Sequence, residues 1–340
     1  MQSIRGGAPP WDALWQAMAD APPTFQQRLE YFGLNSLVRL VGALPYAALR
    51  PLANILGTVV HAFDGRGREV ARANLNAAFG DTFSAERKKQ IALASYQTFA
   101  RTMLELFWSP GFTREFADRM VVCEGLEKSD CHRDPKAAVV YPCLHFSNFE
   151  WLGQYCAYAI TPGPIITQRF KNPLLGGIFS RLRASSGHEI MAQERAMIRM
   201  FKHLQGGGKF GVLADLNLDP SEGSVIVETF GGLKVSITQI HAALALRTGA
   251  KIVPCECRPL PDGRYRMVYH PPLEYPPDAT PAQICQLCWD VLEPSIREQP
   301  ECWLWSYKHW RFRPAGDTSG RYPFYSNEAK RFDKLLKSHV

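Results

Sequence analysis

Residues 137–151 read AAVVYPCLHFSNFEW, and this stretch decides the fold. Residues 137–143 are small, apolar and β-branched, which is the composition of a buried strand. Asn148 is a good N-cap, so Glu150 falls in the first turn of a helix through Trp151, Leu152 and Tyr155. On one continuous helix, positions five apart diverge by about 140°. Across a strand-to-helix turn, His145 and Glu150 can instead converge at the carboxyl edge of a sheet, where open α/β sheets carry their chemistry. A histidine that takes a proton from a hydroxyl needs a partner to fix its tautomer and stabilise the imidazolium, and a carboxylate does both. The plainer reading of an isolated pair is a surface histidine beside a helix whose N-terminal glutamate suits the dipole.

Upstream, Arg66 to Asn76 reads as a polar-faced helix and Ser84 caps a second one. Ala92, Tyr96, Phe99, Met103 and Leu106 recur there at helical spacing, as core. Downstream, strand and helix alternate: helix 148–160, strand 163–167, helix 173–184, strand 188–191, then a helix marked by Met197, Phe201 and Leu204. Gly206-Gly207-Gly208 follow that helix and precede a strand. A phosphate loop runs from strand through glycines into a helix, so this run is a C-cap and turn. Lys209 to Ala214 is the strand that delivers Asp215. Val225 to Phe230 reads as an edge strand, Ile237 to Thr248 as a helix, Ile252 to Arg258 and Tyr265 to His270 as paired strands, and Pro281 to Arg297 as a last long helix. The order predicts an α/β domain over 67–315, with a mixed, mostly parallel sheet flanked by helices. Residues 1–30 are an N-terminal extension and 316–340 a tail, whose Arg331, Lys334 and Lys337 beside Phe332, Leu335 and Leu336 fit either a solvated end or a membrane-surface helix.

Residues 31–63 are long and strongly apolar, yet carry Asn35, Arg39, Pro45 and Arg50. Charges inside a span are costly and prolines break helices. Two short helices meeting near Pro45, forming a membrane-associating hairpin within 31–66 that dips into one leaflet, fit better than a crossing; a soluble helical hairpin fits as well. No cleavable signal is apparent in the first thirty residues. The 340 residues are 46% hydrophobic, enough for a sizeable core, with a net charge of +7. Between Thr161 and Ala214 eight basic residues, including Arg169, Arg183, Lys202 and Lys209, face only Glu189 and Glu194 among the glutamates. That suits an anionic partner. No nucleic-acid motif accompanies it, so a phosphorylated lipid or an acidic protein is expected and nucleic acid is not. The nine cysteines lack framework spacing and favour a reducing compartment. Cys285-x-x-Cys288 has no matching second pair and reads as adjacent turns of one helix rather than a zinc site.

Five ordered segments carry a family resemblance. REVARANLNAAFG with ERKKQIALASYQTFARTMLELFW, HFSNFEW, ITQRFKNPLL, then VLADLNLDP with VETFGG and HAALALRTGAKIVP, and the closing ECWLWSYKHWRFRP resemble the bacterial lipid A biosynthesis (lauroyl/myristoyl) acyltransferases. Those belong with the glycerolipid acyltransferases, marked by His-x4-Asp/Glu. The resemblance implies O-acyl transfer from a thioester donor, acyl carrier protein or acyl-CoA, to a hydroxyl of a phosphorylated glycolipid at the cytoplasmic face of the bacterial inner membrane. It implies no metal or nucleotide cofactor. His145 would be the general base and Glu150 its partner. Arg169 would hold the oxyanion or a substrate phosphate, or simply form a surface ion pair. Asp215 would position Arg169 or the acceptor, and Asn148 would shape the turn. Leu216 stands where the family usually has glutamine, which leaves open another acceptor, such as a phosphatidylinositol mannoside or an aminolipid. A third reading is a catalytically silent lipid-binding homologue, against which the intact His145–Glu150 pair argues.

Overall fold

The computed structural model describes residues 22–167, 170–192 and 196–337. Thr24 caps helix α1 (Phe25–Gly42) through a capping box with Gln27. A break around Pro45 turns the chain into α2 (Leu49–Phe63), bent 117° from α1. Neither helix is long and apolar enough to cross a membrane by itself. Asp64 caps α3 (Gly65–Phe79) and Ser84 caps α4 (Ala85–Phe107), whose apolar stripe packs on α2 through Gly57. A Cβ at Gly57 would lie 2.5 Å from the Gln97 backbone, so only glycine permits that approach.

After α5 (Arg114–Met120) and β1 (Val121–Glu124), the chain enters β2 (Val139–Cys143), buried at every position. Asn148 caps α6 (Phe149–Ala159), then come β3 (Pro164–Thr167), α7 (Pro173–Ala184), β4 (Glu189–Ala192), α8 (Ala196–Gln205) and β5 (Lys209–Leu213). An antiparallel hairpin follows, β6 (Ser224–Thr229) with β7 (Leu233–Thr238), then α9 (Ile240–Thr248), β8 (Lys251–Ile252), β9 (Cys255–Pro259), β10 (Tyr265–Tyr269) and α10 (Pro281–Glu298). The segment expected to be helical from Ile237 thus begins as strand; the turn at Gly231-Gly232 folds it back on β6, and the helix starts only at Ile240.

The architecture is mixed α/β. In place of one mostly parallel sheet, the described strands form several small ones. β2 lies between β5 and β8, parallel to both; β9–β10–β1 is mixed; β3–β4 is parallel. Pro142 sits inside the central strand without penalty. Val140 accepts the Val253 amide on the β8 side, so Pro142, two residues on, faces the same side after β8 has ended, where its missing N–H breaks no ladder bond. Ile252 and Cys255 are separated by Val253-Pro254, which divides the expected single strand into β8 and β9.

The C-terminal segment packs back on the domain. Phe312–Arg313 (β11) pairs with Asn327–Glu328 (β12), Arg321 donates to the carbonyls of Phe230 and Gly231, and Phe332 of α11 (Lys330–Lys337) is fully buried. Cys285 and Cys288 are buried in the main core beside Trp289.

Candidate active site

Register brings two side chains together. Cys143 of β2 is level with Leu213 of β5, so His145 and Asp215, each two residues past its strand, leave the same sheet edge side by side. The His145 Nδ1 lies 2.8 Å from Asp215 Oδ1, and the His145 amide donates to Asp215 Oδ2 at 3.0 Å. The Trp303 indole N–H donates to the same Oδ2 at 2.9 Å. Asp215 is therefore buried and held by three donors, which prevents rotation. Burial pushes its carboxyl up, but the imidazole's charge and the hydrogen bonds from His145 and Trp303 outweigh this and hold it at about 2. Asp215 is ionised at neutral pH. Burial in turn pushes His145 down, while the Asp215 charge and hydrogen bond, with a smaller contribution from Glu150, raise it above the usual imidazole range. With Asp215 accepting at Nδ1, the proton of the neutral ring belongs there and Nε2 is left basic. No hydrogen bond to Nε2 forms among the described residues, and the side chain is 20% exposed, so a substrate can reach it.

Glu150 is placed differently from the expectation. It sits in the first turn of α6, where the dipole favours it, but both its oxygens are taken by Arg183 in the last turn of α7. Arg183 Nη2 lies 2.6 Å from Oε1 and Nε 3.0 Å from Oε2, a bidentate fork. The imidazole's direct carboxylate partner is Asp215; Glu150 and Arg183 act on His145 through space, with opposite signs. The backbone sets this. Ser147, at φ 50°, turns the chain so that Phe149 rather than Glu150 stands against the His145 ring, edge-on at 4.8 Å. The strained Ser147 is pinned on both sides: its amide donates to the Cys302 carbonyl at 2.7 Å, and its carbonyl accepts from Thr102.

Asn148 has two tasks. Its Oδ1 caps α6 at the Trp151 amide, and its Nδ2 donates to Glu105 Oε2 at 2.5 Å. Glu105, fully buried in α4, also accepts from the hydroxyls of Tyr46 and Tyr265 and from Arg101 Nε. This carboxylate ties α4, the turn after β2 and β10 into one rigid support. The Trp-rich segment supports the other flank. Trp303 stacks on the buried His309 at 3.6 Å, and its carbonyl accepts from Ser95, while Asn74 donates to the carbonyls of Trp305 and Tyr307. Arg169 lies outside the described residues. No three His, Cys, Asp or Glu side chains converge as metal ligands among the described residues.

An imidazole with a buried carboxylate behind it and a reachable Nε2 can draw a proton from a hydroxyl. Over residues 25–312 the chain matches the family model of bacterial lipid A biosynthesis acyltransferases. The chain belongs to this family. It is 26% identical to the lipid A biosynthesis lauroyltransferase of Escherichia coli K12 over 295 residues, covering 85% of this chain and 93% of the relative. It is 25% identical to the lipid A biosynthesis palmitoleoyltransferase of the same organism, and to a lipid A biosynthesis acyltransferase of Shigella flexneri, each over 300 residues covering 86% of this chain and 94% of the relative. The chain is an acyltransferase, and its family supports acyl transfer in lipid A synthesis. Asp215, Arg183, Trp303 and Glu105 carry the site's contacts; the sequence alone points Asp215 to a different role, Arg183 only to a basic stretch, and Trp303 and Glu105 to no site role. One signal was available, a glutamate within the apolar run MLELF.

Proposed function

We propose that this acyltransferase moves a fatty acyl chain from a thioester, carried by acyl carrier protein or coenzyme A, to a hydroxyl of a phosphorylated lipid A precursor. The Asp215 carboxylate on His145 Nδ1, leaving Nε2 reachable, carries the mechanistic reading. His145 Nε2 takes the acceptor hydroxyl's proton as that oxygen attacks the thioester carbonyl. The resulting oxyanion collapses, the carbon–sulfur bond breaks, and the departing sulfur receives the proton from the imidazolium. Asp215 stabilises the imidazolium and fixes the ring. Arg183, clamped by Glu150 next to this site, offers its guanidinium to the oxyanion or to a lipid phosphate. Arg169 remains a second candidate for that task.

The acceptor is delivered from a membrane surface, the cytoplasmic face of the bacterial inner membrane. Supporting this, α1 and α2 leave Phe25, Phe32, Leu40, Ile55 and Phe63 at least 60% exposed, too many large apolar side chains on one bent helix pair to be random surface. Submerging each gains about 1.5–3 kcal/mol. The double change Phe32→Asp with Ile55→Asp is expected to lower partition onto phospholipid vesicles at least tenfold in a flotation assay. Unchanged flotation sinks the membrane reading.

The functional test supplies vesicle-embedded lipid A precursor and acyl carrier protein thioester to the purified protein, and weighs the lipid product. The expected product is heavier by one ester-linked acyl chain. Release of free fatty acid alone, with no acylated lipid, overturns the proposal. Acylation of an aminolipid or a phosphatidylinositol mannoside in preference to the precursor would change the acceptor and leave the chemistry intact.

A further inference from the structure

A cavity lies at the end of β2 and β5 opposite His145. It measures about 560 Å³ and is lined by His132, Arg133, Lys202, His203 and Lys209, with Ile160 and Pro162 as its apolar wall. The lining residues include five basic or imidazole side chains and no carboxylate. Two of the basic groups are buried. Lys209 is 6% exposed; its ammonium, which has three donors, bonds the Asp134 carbonyl at 2.8 Å, and no carboxylate lies within ion-pair distance of it among the described residues. His132 is 3% exposed. Its Nδ1 meets the Tyr141 hydroxyl at 2.9 Å, and its Nε2, on the far side of the ring, is buried with no hydrogen-bond partner. The Asp134 carboxylate acts on Lys209 only through space, and burial favours the neutral His132 ring, so the ammonium's remaining donors and the idle Nε2 are left for a ligand to complete.

The glycine run makes the room. Gly207 has φ 79°, and a Cβ there would lie 2.5 Å from the Pro135 carbonyl; one on Gly208 would lie 2.4 Å from the His203 ring. Gly206 to Gly208 is therefore no phosphate loop by sequence order, yet its lack of side chains lets the 133–136 turn and His203 close around the cavity.

We propose that this cavity binds a phosphomonoester, its phosphoryl group held by Lys209, His132 and Arg133 and its organic part lying against Ile160 and Pro162. Doubly charged phosphoryl oxygens match clustered Lys and Arg donors, and the volume exceeds what the phosphoryl group alone would fill. The five residues of β2, about 16 Å at 3.3 Å each, separate this end from His145, so the bound group does not touch the reacting atoms.

The test titrates the full-length protein calorimetrically with inorganic phosphate and with a hexose 1-phosphate, and compares flotation on phosphatidylcholine vesicles with and without phosphatidic acid. Saturable binding of the hexose phosphate, tighter than inorganic phosphate and weakened at least tenfold in Arg133→Ala with Lys202→Ala, assigns a soluble ligand. A phosphatidic-acid-dependent gain in flotation that the same double variant loses assigns a lipid phosphomonoester. Arg133 and Lys202 are exposed, so the double variant is expected to fold. Lys209→Met provides a second variant and is expected to bind neither. Absence of saturable binding and of any flotation gain, or affinities that the double variant leaves unchanged, overturns the proposal.

Discussion

His145→Ala is expected to lower acyl transfer by roughly 10⁴-fold, and Asp215→Asn by roughly 10³-fold, in initial-rate assays with vesicle-bound acceptor. The first change removes the base. The second keeps the shape and removes what makes the base work. An asparagine at 215 can still accept from Trp303 and the His145 amide through its oxygen, but it can then present its NH2 to Nδ1. The ring would answer by moving its proton to Nε2, the atom that has to receive one from the hydroxyl. It would also lose the buried negative charge that stabilises the imidazolium. Glu150→Gln is expected to cost less, about tenfold to a hundredfold, because Glu150 acts through the Arg183 fork and not on the ring. A His145→Ala enzyme within tenfold of the wild type would remove general-base catalysis by this residue.

Glu105→Ala is expected to lower the unfolding free energy by about 3–5 kcal/mol, the loss typical of breaking a buried ion pair from one side. Glu105 is fully buried, and the Arg101 side chain that pairs with it at 2.9 Å is 14% exposed. Truncation strands that guanidinium, the Tyr46 and Tyr265 hydroxyls and the Asn148 amide. Arg101 keeps the Gly263 carbonyl, a long contact to Tyr46 and the face of the Tyr265 ring, but no carboxylate. Asn148 would lose the partner that orients its cap, so activity is expected to fall with stability. Denaturant titration measures the effect. A loss below about 1 kcal/mol would mean that water or rearrangement replaces the carboxylate, and that the network is not what fixes the turn.

Much of this fold was legible because its elements obey local rules. The strand at 139–143, the helix begun by Asn148 and the break near Pro45 follow from β-branched runs, an N-cap and a proline. Other parts depend on distant partners. The switch from strand to helix at 237–240 is set by pairing with β6, which the apolar sequence ITQIHAALAL does not encode by itself. His145 and Asp215 were both marked, and their shared sheet edge was inferred, but the bond between them depends on strand register. Register is a property of the pair of strands, 70 residues apart. The five-residue spacing to Glu150 drew attention to the nearer carboxylate. Arg183 is one basic residue among eight in its stretch, and only its fork onto Glu150 distinguishes it.

The pH dependence of kcat/KM tests the central claim, that Asp215 is the carboxylate that makes His145 a base. The base must be unprotonated to act, so activity falls as pH drops through a His145 pKa raised above its usual range. Asp215 raises that pKa, so Asp215→Asn is expected to move this limb to lower pH. Glu150→Gln, which removes a carboxylate that acts on the ring only through space and more weakly than Asp215, is expected to move it less. A limb that stays put in Asp215→Asn and shifts in Glu150→Gln would contradict the account and return the imidazole to Glu150.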